Sequence, residues 1–170
     1  MKIIIEENII TESSEKKQEY TWGAGILPIC RKTGKILVQK RGKNIVYPNQ
    51  WATFGGKGEE GETKEQAAKR EFKEESGYSG SIQKLKLLDT HSRKNFKFYN
   101  YLCIVPDEFK VTTINKKTDA NHIEVQDAKW VDINEIRWGL KGQIHFGLKR
   151  LMHMRKKDIE RYVRQNCKNK

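Results

Sequence analysis

No two cysteines in this sequence stand at the spacing of a metal or redox motif. The three present, Cys30, Cys103 and Cys167, are odd in number and widely separated, with no CxxC pair. Structural zinc and a disulfide framework are therefore not expected, and a reducing, cytoplasmic setting is. No apolar run approaches the roughly 20 residues needed to cross a bilayer. The opening MKIIIEENII is interrupted by two glutamates and lacks a small-residue cleavage site, so it does not read as a secretory signal. The phosphate-cradling pattern GxxxxGK[ST] is absent too. Acid is scarce toward the end of the chain. From Lys141 to Lys170, ten Lys or Arg stand against Asp158 and Glu160 alone.

What is present suits one globular domain. The 170 residues can enclose a sizeable core, and aromatic and β-branched residues are plentiful despite the high charge. Residues 1–20 read as a loosely attached arm and 21–170 as a single domain. TWGAGILPIC (21–30) and ILVQKR (36–41) read as a hairpin across the KTGK turn. WATF (51–54) is a short strand followed by a glycine-rich loop. Thr63 and Gln66 form a capping box that starts a helix, and Gly77 ends it. Strands are expected at 81–90, 96–105 and 128–133. Apolar residues at helical spacing from Ile144 to Val163 give one long helix or two short ones over 143–166. The order β-β-β-α-β-β-β-α implies a mixed sheet with helices packed on it. The net charge of +12 offers a surface for nucleotides, RNA or an acidic partner, or else a solvated helix face.

Against that positive balance, GGKGEEGETKEQAAKREFKEESGY (55–78) carries seven acids between Glu59 and Glu75. Glu71, Glu74 and Glu75 fall at i, i+3 and i+4, so their carboxylates share one helix face and repel one another. A solvated face is one reading, with Lys69, Arg70 and Lys73 close by. The other is an oxygen-only site for a hard cation, Mg²⁺ or Mn²⁺, completed by substrate phosphates.

The wider spacing carries a resemblance. Gly56, five residues, Glu62, seven residues, then REFKEESGY (70–78) resembles the Nudix box GX5EX7REUXEEXGU, with all seven fixed positions matched. ILVQKR is similar to the family's strand ending in Q-x-R, and NQWATFGGK to its W-x-x-P-G-G lead-in, with Phe54 where proline is common. The resemblance covers about residues 21–138. It implies an α/β/α sandwich with a mixed sheet, and Mg²⁺- or Mn²⁺-dependent hydrolysis of a nucleoside diphosphate linked to another moiety. It further implies Glu71, Glu74 and Glu75 as metal ligands with a backbone carbonyl at Gly56 or Gly55, and an Arg70–Glu62 pair bracing loop to helix. Glu71 or Glu124 is then the general base, and Glu124 is otherwise a surface carboxylate. Arg41 and Lys57 are candidates for phosphate contact. Trp51, Tyr99 and Tyr101 are expected in packing, and His122 without a role.

The substrate is less legible. The proline of ADP-ribose-type relatives, about 16 residues past the box, is replaced here by SRKNF, and the nearest aromatic for a dinucleoside polyphosphate type is Phe96. A small nucleotide (an NTP, ADP-ribose or a dinucleoside polyphosphate) is expected. The alternatives are an RNA 5′ end engaged by the basic C-terminal helix, and a fold that binds nucleotides without cleaving them. The sequence leaves the assembly open, a homodimer included.

Overall fold

A computed structural model describes residues 21–138 and 140–167. The N-terminal arm expected over 1–20 lies outside the described residues. Seven strands form one mixed sheet: β1 (Thr21–Cys30), β2 (Ile36–Arg41), β3 (Trp51–Ala52), β4 (Phe54–Lys57), β5 (Leu85–Arg93), β6 (Phe96–Val105) and β7 (Val125–Val131). Four helices accompany them: α1 (Lys64–Ser76), α2 (Glu135–Trp138), α3 (Phe146–Met154) and α4 (Lys156–Asn166). The strand order is β3-β2-β1-β6-β5, with β4 added to β1 and β7 to β2. Among the described strands β1 and β6 run parallel, and the other pairs are antiparallel. This is the mixed sheet with helices expected from the element order, in the α/β (α+β) class that the resemblance implied.

Alternation along β1 sorts its side chains onto two cores. Ala24 and Ile26 pack toward α1 with Leu37, Phe54 and Cys103. Leu27 and Ile29 pack on the opposite face with Val38, Trp51, Leu148 and Leu151. Trp51 is therefore core, and its indole N–H donates to the Lys141 carbonyl at 2.9 Å. Tyr99 and Tyr101 belong to the α1 core, as expected. Cys30 and Cys103 are buried and free.

α1 forms where the capping signals place it. Thr63 Oγ1 accepts from the Gln66 N–H, and the Gln66 side chain accepts from the Thr63 N–H at 2.8 Å. Gly77 closes the helix in the left-handed region at φ 70°, where a side chain is disfavoured. Ala67, Ala68 and Phe72 are fully buried on the sheet side, and Phe72 meets Phe54 edge to face at 5.3 Å. The phenylalanine at the usual proline position thus fills the core beneath α1, and burying such a ring contributes about 1.5–3 kcal/mol.

Several boundaries differ from expectation. WATF is two strands: β3 pairs with β2, and the chain then crosses to pair β4 with β1. The segment from Gly55 expected as loop begins as sheet, because Gly55 can lie against Gly25 without a side chain between the backbones. The strand expected at 81–90 starts later and runs to Arg93, and the last strand starts earlier, at Val125, where β2 offers a partner. The 143–166 stretch is two helices, broken at Arg155.

That break has a partner. Asp89, only 3% exposed, accepts from Arg150 Nε at 3.2 Å and from Arg155 Nε at 3.1 Å. One buried carboxylate on β5 therefore holds both C-terminal helices against the sheet. Two arginines of the basic tail are thereby engaged inside the fold. Asp89→Asn is expected to lower stability to urea by about 1–3 kcal/mol, the worth of weakened charge-assisted hydrogen bonds. A change below about 0.5 kcal/mol would mean that apolar packing alone docks these helices.

Candidate functional site

The acidic helix lies against the glycine-containing strand β4. Glu75 is 7% exposed, and its Oε2 accepts from the Gly55 N–H at 2.6 Å and from Gln39 Nε2 at 2.8 Å. Gln39 also donates to the Thr53 carbonyl at 3.1 Å. One carboxylate thus joins α1 to β4 and β2. Burial pushes the Glu75 pKa up to about 8, opposed by these two hydrogen bonds.

Arg70 organises the neighbouring acids. Its Nε and Nη2 meet the two Glu62 oxygens at 2.8 and 3.0 Å, so the ion pair that the resemblance implied is bidentate. The guanidinium holds the Glu62 carboxyl down to about 2. Arg70 Nη1 reaches Glu71 at 2.9 Å and Glu74 at 3.0 Å, and Nη2 reaches the Lys57 carbonyl at 3.1 Å. Glu71 stands against Gly56 so closely that a Cβ there would lie 2.6 Å from its carboxylate. Its pKa is raised, first by burial, with Arg70 opposing and the charges of Glu74 and Glu124 adding.

The expected ligands are therefore neighbours along α1, but each is tied to a protein donor. Among the described residues no three His, Cys, Asp or Glu side chains converge on one metal position. The donor set nevertheless fits a hard cation. It is all oxygen, and Glu71 feels the repulsion of Glu74 and Glu124 while Glu75 feels that of Glu71.

The remaining candidates divide. Arg41 lies within electrostatic reach of Glu75 and Glu124, has its pKa lowered by burial, and donates from Nε and Nη2 to the Val46 carbonyl at 3.0 and 2.8 Å. Lys57 is exposed at the end of β4. Both line a cavity of about 570 Å³ that opens beside Gly55 and Gly56. Glu124 is half-buried, 3.2 Å from His122 Nε2, so His122 does have a partner. Asp127 caps the Ala128 N–H at 2.8 Å.

Sequence reasoning missed the far wall of this cavity. Tyr47, His91, Phe98, Asn100, His145 and Phe146 line it, from a loop, two strands and the start of α3. The available signal was polar residues within apolar strands, Asp89 in KLLDT and Asn100 in FYNYL. His145 caps α3, its Nδ1 accepting from the Gly147 N–H at 3.2 Å. Burial, with Arg41 and His91 adding, pushes its pKa down to about 4. A second opening, of about 830 Å³, lies between Gly142 and Lys157, on the side of α3 and α4. Among the described residues no helix is long and apolar enough to cross a membrane.

Comparison with known proteins identifies relatives by sequence and by fold. The family model described as NUDIX domain matches residues 19–153. The chain is 43% identical over 53 residues to the nucleoside triphosphatase NudI of Enterobacter sp. (strain 638), a stretch covering 31% of this chain and 38% of that protein. The match thus spans well under half of that relative's length. Among solved structures, the Nudix hydrolase RenU from M. smegmatis aligns with a TM-score of 0.63 at 17% identity, over 83% of this chain and 86% of that one. The NUDIX domain of Shewanella oneidensis NrtR, solved with ADP ribose, aligns with a TM-score of 0.60 at 15% identity, over 82% and 88%. At these identities the likeness is one of fold.

The His145 cap yields a pH prediction. Its folded pKa is depressed from 6.5 to about 4, so its contribution to stability is complete above pH 6.5 and disappears as pH falls through 4. His145→Asn keeps a capping side chain but cannot titrate. Between pH 7 and pH 4 the wild type should lose more Tm than His145→Asn. Equal losses would show that His145 is not a buried neutral cap.

Proposed function

Because the chain belongs to the Nudix family, we propose that it hydrolyses the diphosphate linkage of a nucleoside diphosphate derivative with the aid of Mg²⁺ or Mn²⁺. The observation that carries this reading is the meeting of two opposite surfaces at β4. Clustered carboxylates of α1 stand on one side, and a cavity rimmed by Arg41 and Lys57 opens on the other. A dianionic linkage lying over Gly55 and Gly56 would face cations from the cavity and oxygen donors from the helix.

In this reading Glu71, Glu74 and Glu75, with the backbone at Gly56, hold the divalent ion. When bound, that ion neutralises phosphate charge and lowers the pKa of water. The chain's own groups do the rest. Arg70 and Glu62 fix the loop to the helix, so that the carboxylates keep their direction. Arg41 and Lys57 take the phosphate charge. Glu71, which stands against the backbone at Gly56, or Glu124 on the later loop serves as general base.

An NTP is the first substrate to examine, given the local similarity to a nucleoside triphosphatase, followed by ADP-ribose and dinucleoside polyphosphates. Fewer cations of the basic tail are left for an RNA 5′ end than its charge suggests. Arg150 and Arg155 are bound to Asp89, and Lys156 to Asn134 and Glu160.

Assay of this substrate panel with each metal should show phosphate-anhydride cleavage by the wild type and none after chelation. Glu71→Gln is expected to slow turnover about 10²–10⁴-fold, the span of a lost general base. Glu75→Gln should remove most activity while circular dichroism stays native. A wild type that cleaves no member would leave a nucleotide-binding fold as the function, and unchanged turnover in Glu75→Gln would remove Glu75 from the ligand set.

A further inference from the structure

The opening on the side of α3 and α4 differs in character from the cavity beside β4 and has no part in the proposed chemistry. Its volume is about 830 Å³. Lys149, Lys156 and Lys157 line it together with Ile136, Met152 and Met154, and no acid does. The helix register explains this mixture. Leu148 and Leu151 turn into the core, so Lys149, Met152 and His153, three and four residues apart, share the outer face of α3. The first turn of α4 then adds Lys156 and Lys157. Met154 stands among these cations at 54% exposure.

Ion pairing leaves part of this charge unanswered. Of the two acids in the basic tail, Asp158 pairs with Arg155 and Arg161, and Glu160 with Lys156. Lys156 also donates to the Asn134 side chain at 2.7 Å. Lys149 and Lys157, both exposed, meet no carboxylate among the described residues.

A matching counter-charge exists in the same chain. Residues 3–15, IIIEENIITESSE, hold Glu6, Glu7, Glu12 and Glu15, five isoleucines and no Lys or Arg. This is the pattern of the opening with the charge reversed: apolar side chains among acids against apolar side chains among cations. Such complementarity fixes register and suppresses wrong partners. The opening is also within reach. Fifteen residues lead from Glu6 to Thr21, where β1 begins, and an extended chain of that length spans roughly 50 Å. A domain of this size has a radius of gyration of only about 15 Å. Tethering further gives an effective concentration on the order of mM, so a contact too weak to hold a separate peptide still holds a linked one.

We propose that the opening between α2, α3 and α4 is the docking groove for the chain's own acidic N-terminal segment, residues 3–15. The isoleucines of the segment meet Ile136, Met152 and Met154, and its glutamates meet Lys149 and Lys157. The docked segment covers the two cations that the fold leaves without a carboxylate, and so keeps other polyanions off this face. The inference does not rest on the hydrolase reading. It uses none of the carboxylates of α1 and neither Arg41 nor Lys57, and a chain that cleaved no anhydride would keep it.

The test is equilibrium binding of a labelled synthetic peptide of residues 3–15 to full-length chains. In the wild type the tethered segment competes for the groove. The peptide should therefore bind the wild type about tenfold or more weakly than a chain carrying Glu6→Gln, Glu7→Gln, Glu12→Gln and Glu15→Gln together. Adding Lys149→Glu and Lys157→Glu to that chain should lower its affinity for the peptide at least about tenfold. Both lysines are exposed, so Tm should stay native. Carbodiimide coupling of the unmodified wild type, mapped by mass spectrometry, should join Glu6, Glu7 or Glu12 to Lys149 or Lys157 within a single chain. Equal peptide affinity for the wild type and the four-glutamine chain would overturn the proposal, as would affinity that survives the lysine reversals. Coupling found only between two chains would assign the groove to a second copy and overturn it as well. So would a 15-residue oligouridylate that binds the four-glutamine chain through the same lysines more tightly than the peptide does.

Discussion

The carboxylate of Glu75 is the constraint on which the site hangs. It is buried, yet it connects α1 to both β4 and β2 through side-chain hydrogen bonds, by way of Gly55 and Gln39. A buried carboxylate is costly unless its oxygens are satisfied. Here one oxygen takes two donors, and neighbouring acids repel the charge. The helix register and the position of the glycine strand are therefore fixed by a group that is itself held high in pKa. Replacing it with an apolar residue would leave the Gly55 N–H without its acceptor, so structure and chemistry press on the same atom.

The sheet separates two tasks. Its α1 face carries the acids and one apolar core; the opposite face carries the cavity and the second core. β4 is short and glycine-containing, and the two faces come together there. Charge sorts accordingly. Arg70 gathers four glutamates on the helix side, while Arg41 and Lys57 rim the cavity. Asp89, the buried acid on the cavity side, is neutralised by two arginines and so does not oppose an anionic ligand.

Much of this was legible in the sequence. The capping box, the Gly77 stop and the spacing of Gly56, Glu62 and Arg70 to Glu75 depend on contacts within about two dozen residues, and local chemistry dictates them. The Arg70–Glu62 pair was implied by the family resemblance, and one helix with its leading loop brings the two together. The cavity wall was not. Asn100 and His91 are set by the register of β6 on β1 and β5, and Phe146 arrives with α3 from some fifty residues further on. Gln39 was visible within ILVQKR, but its role is created by a helix it meets only in three dimensions. The basic tail was legible only as charge: counting along the chain does not reveal that Arg150 and Arg155 close on a buried aspartate.

The polarity of α1 carries a further consequence. Its peptide dipoles sum toward the C-terminal end, and Glu71, Glu74 and Glu75 occupy the last turns, where the partial charge is already negative. Helices normally place acids at the other end. The last carbonyls accept from neutral donors, Lys73 from the Gly77 N–H, Phe72 from Ser76 Oγ, Glu75 from Thr113 Oγ1 and Ser76 from the Thr112 N–H, which leaves the direction of the helix dipole unchanged. The backbone and the side chains thus disfavour the ionised acids together. The same superposition deepens the potential well for any cation that arrives, and part of that attraction is written into the direction in which one helix runs.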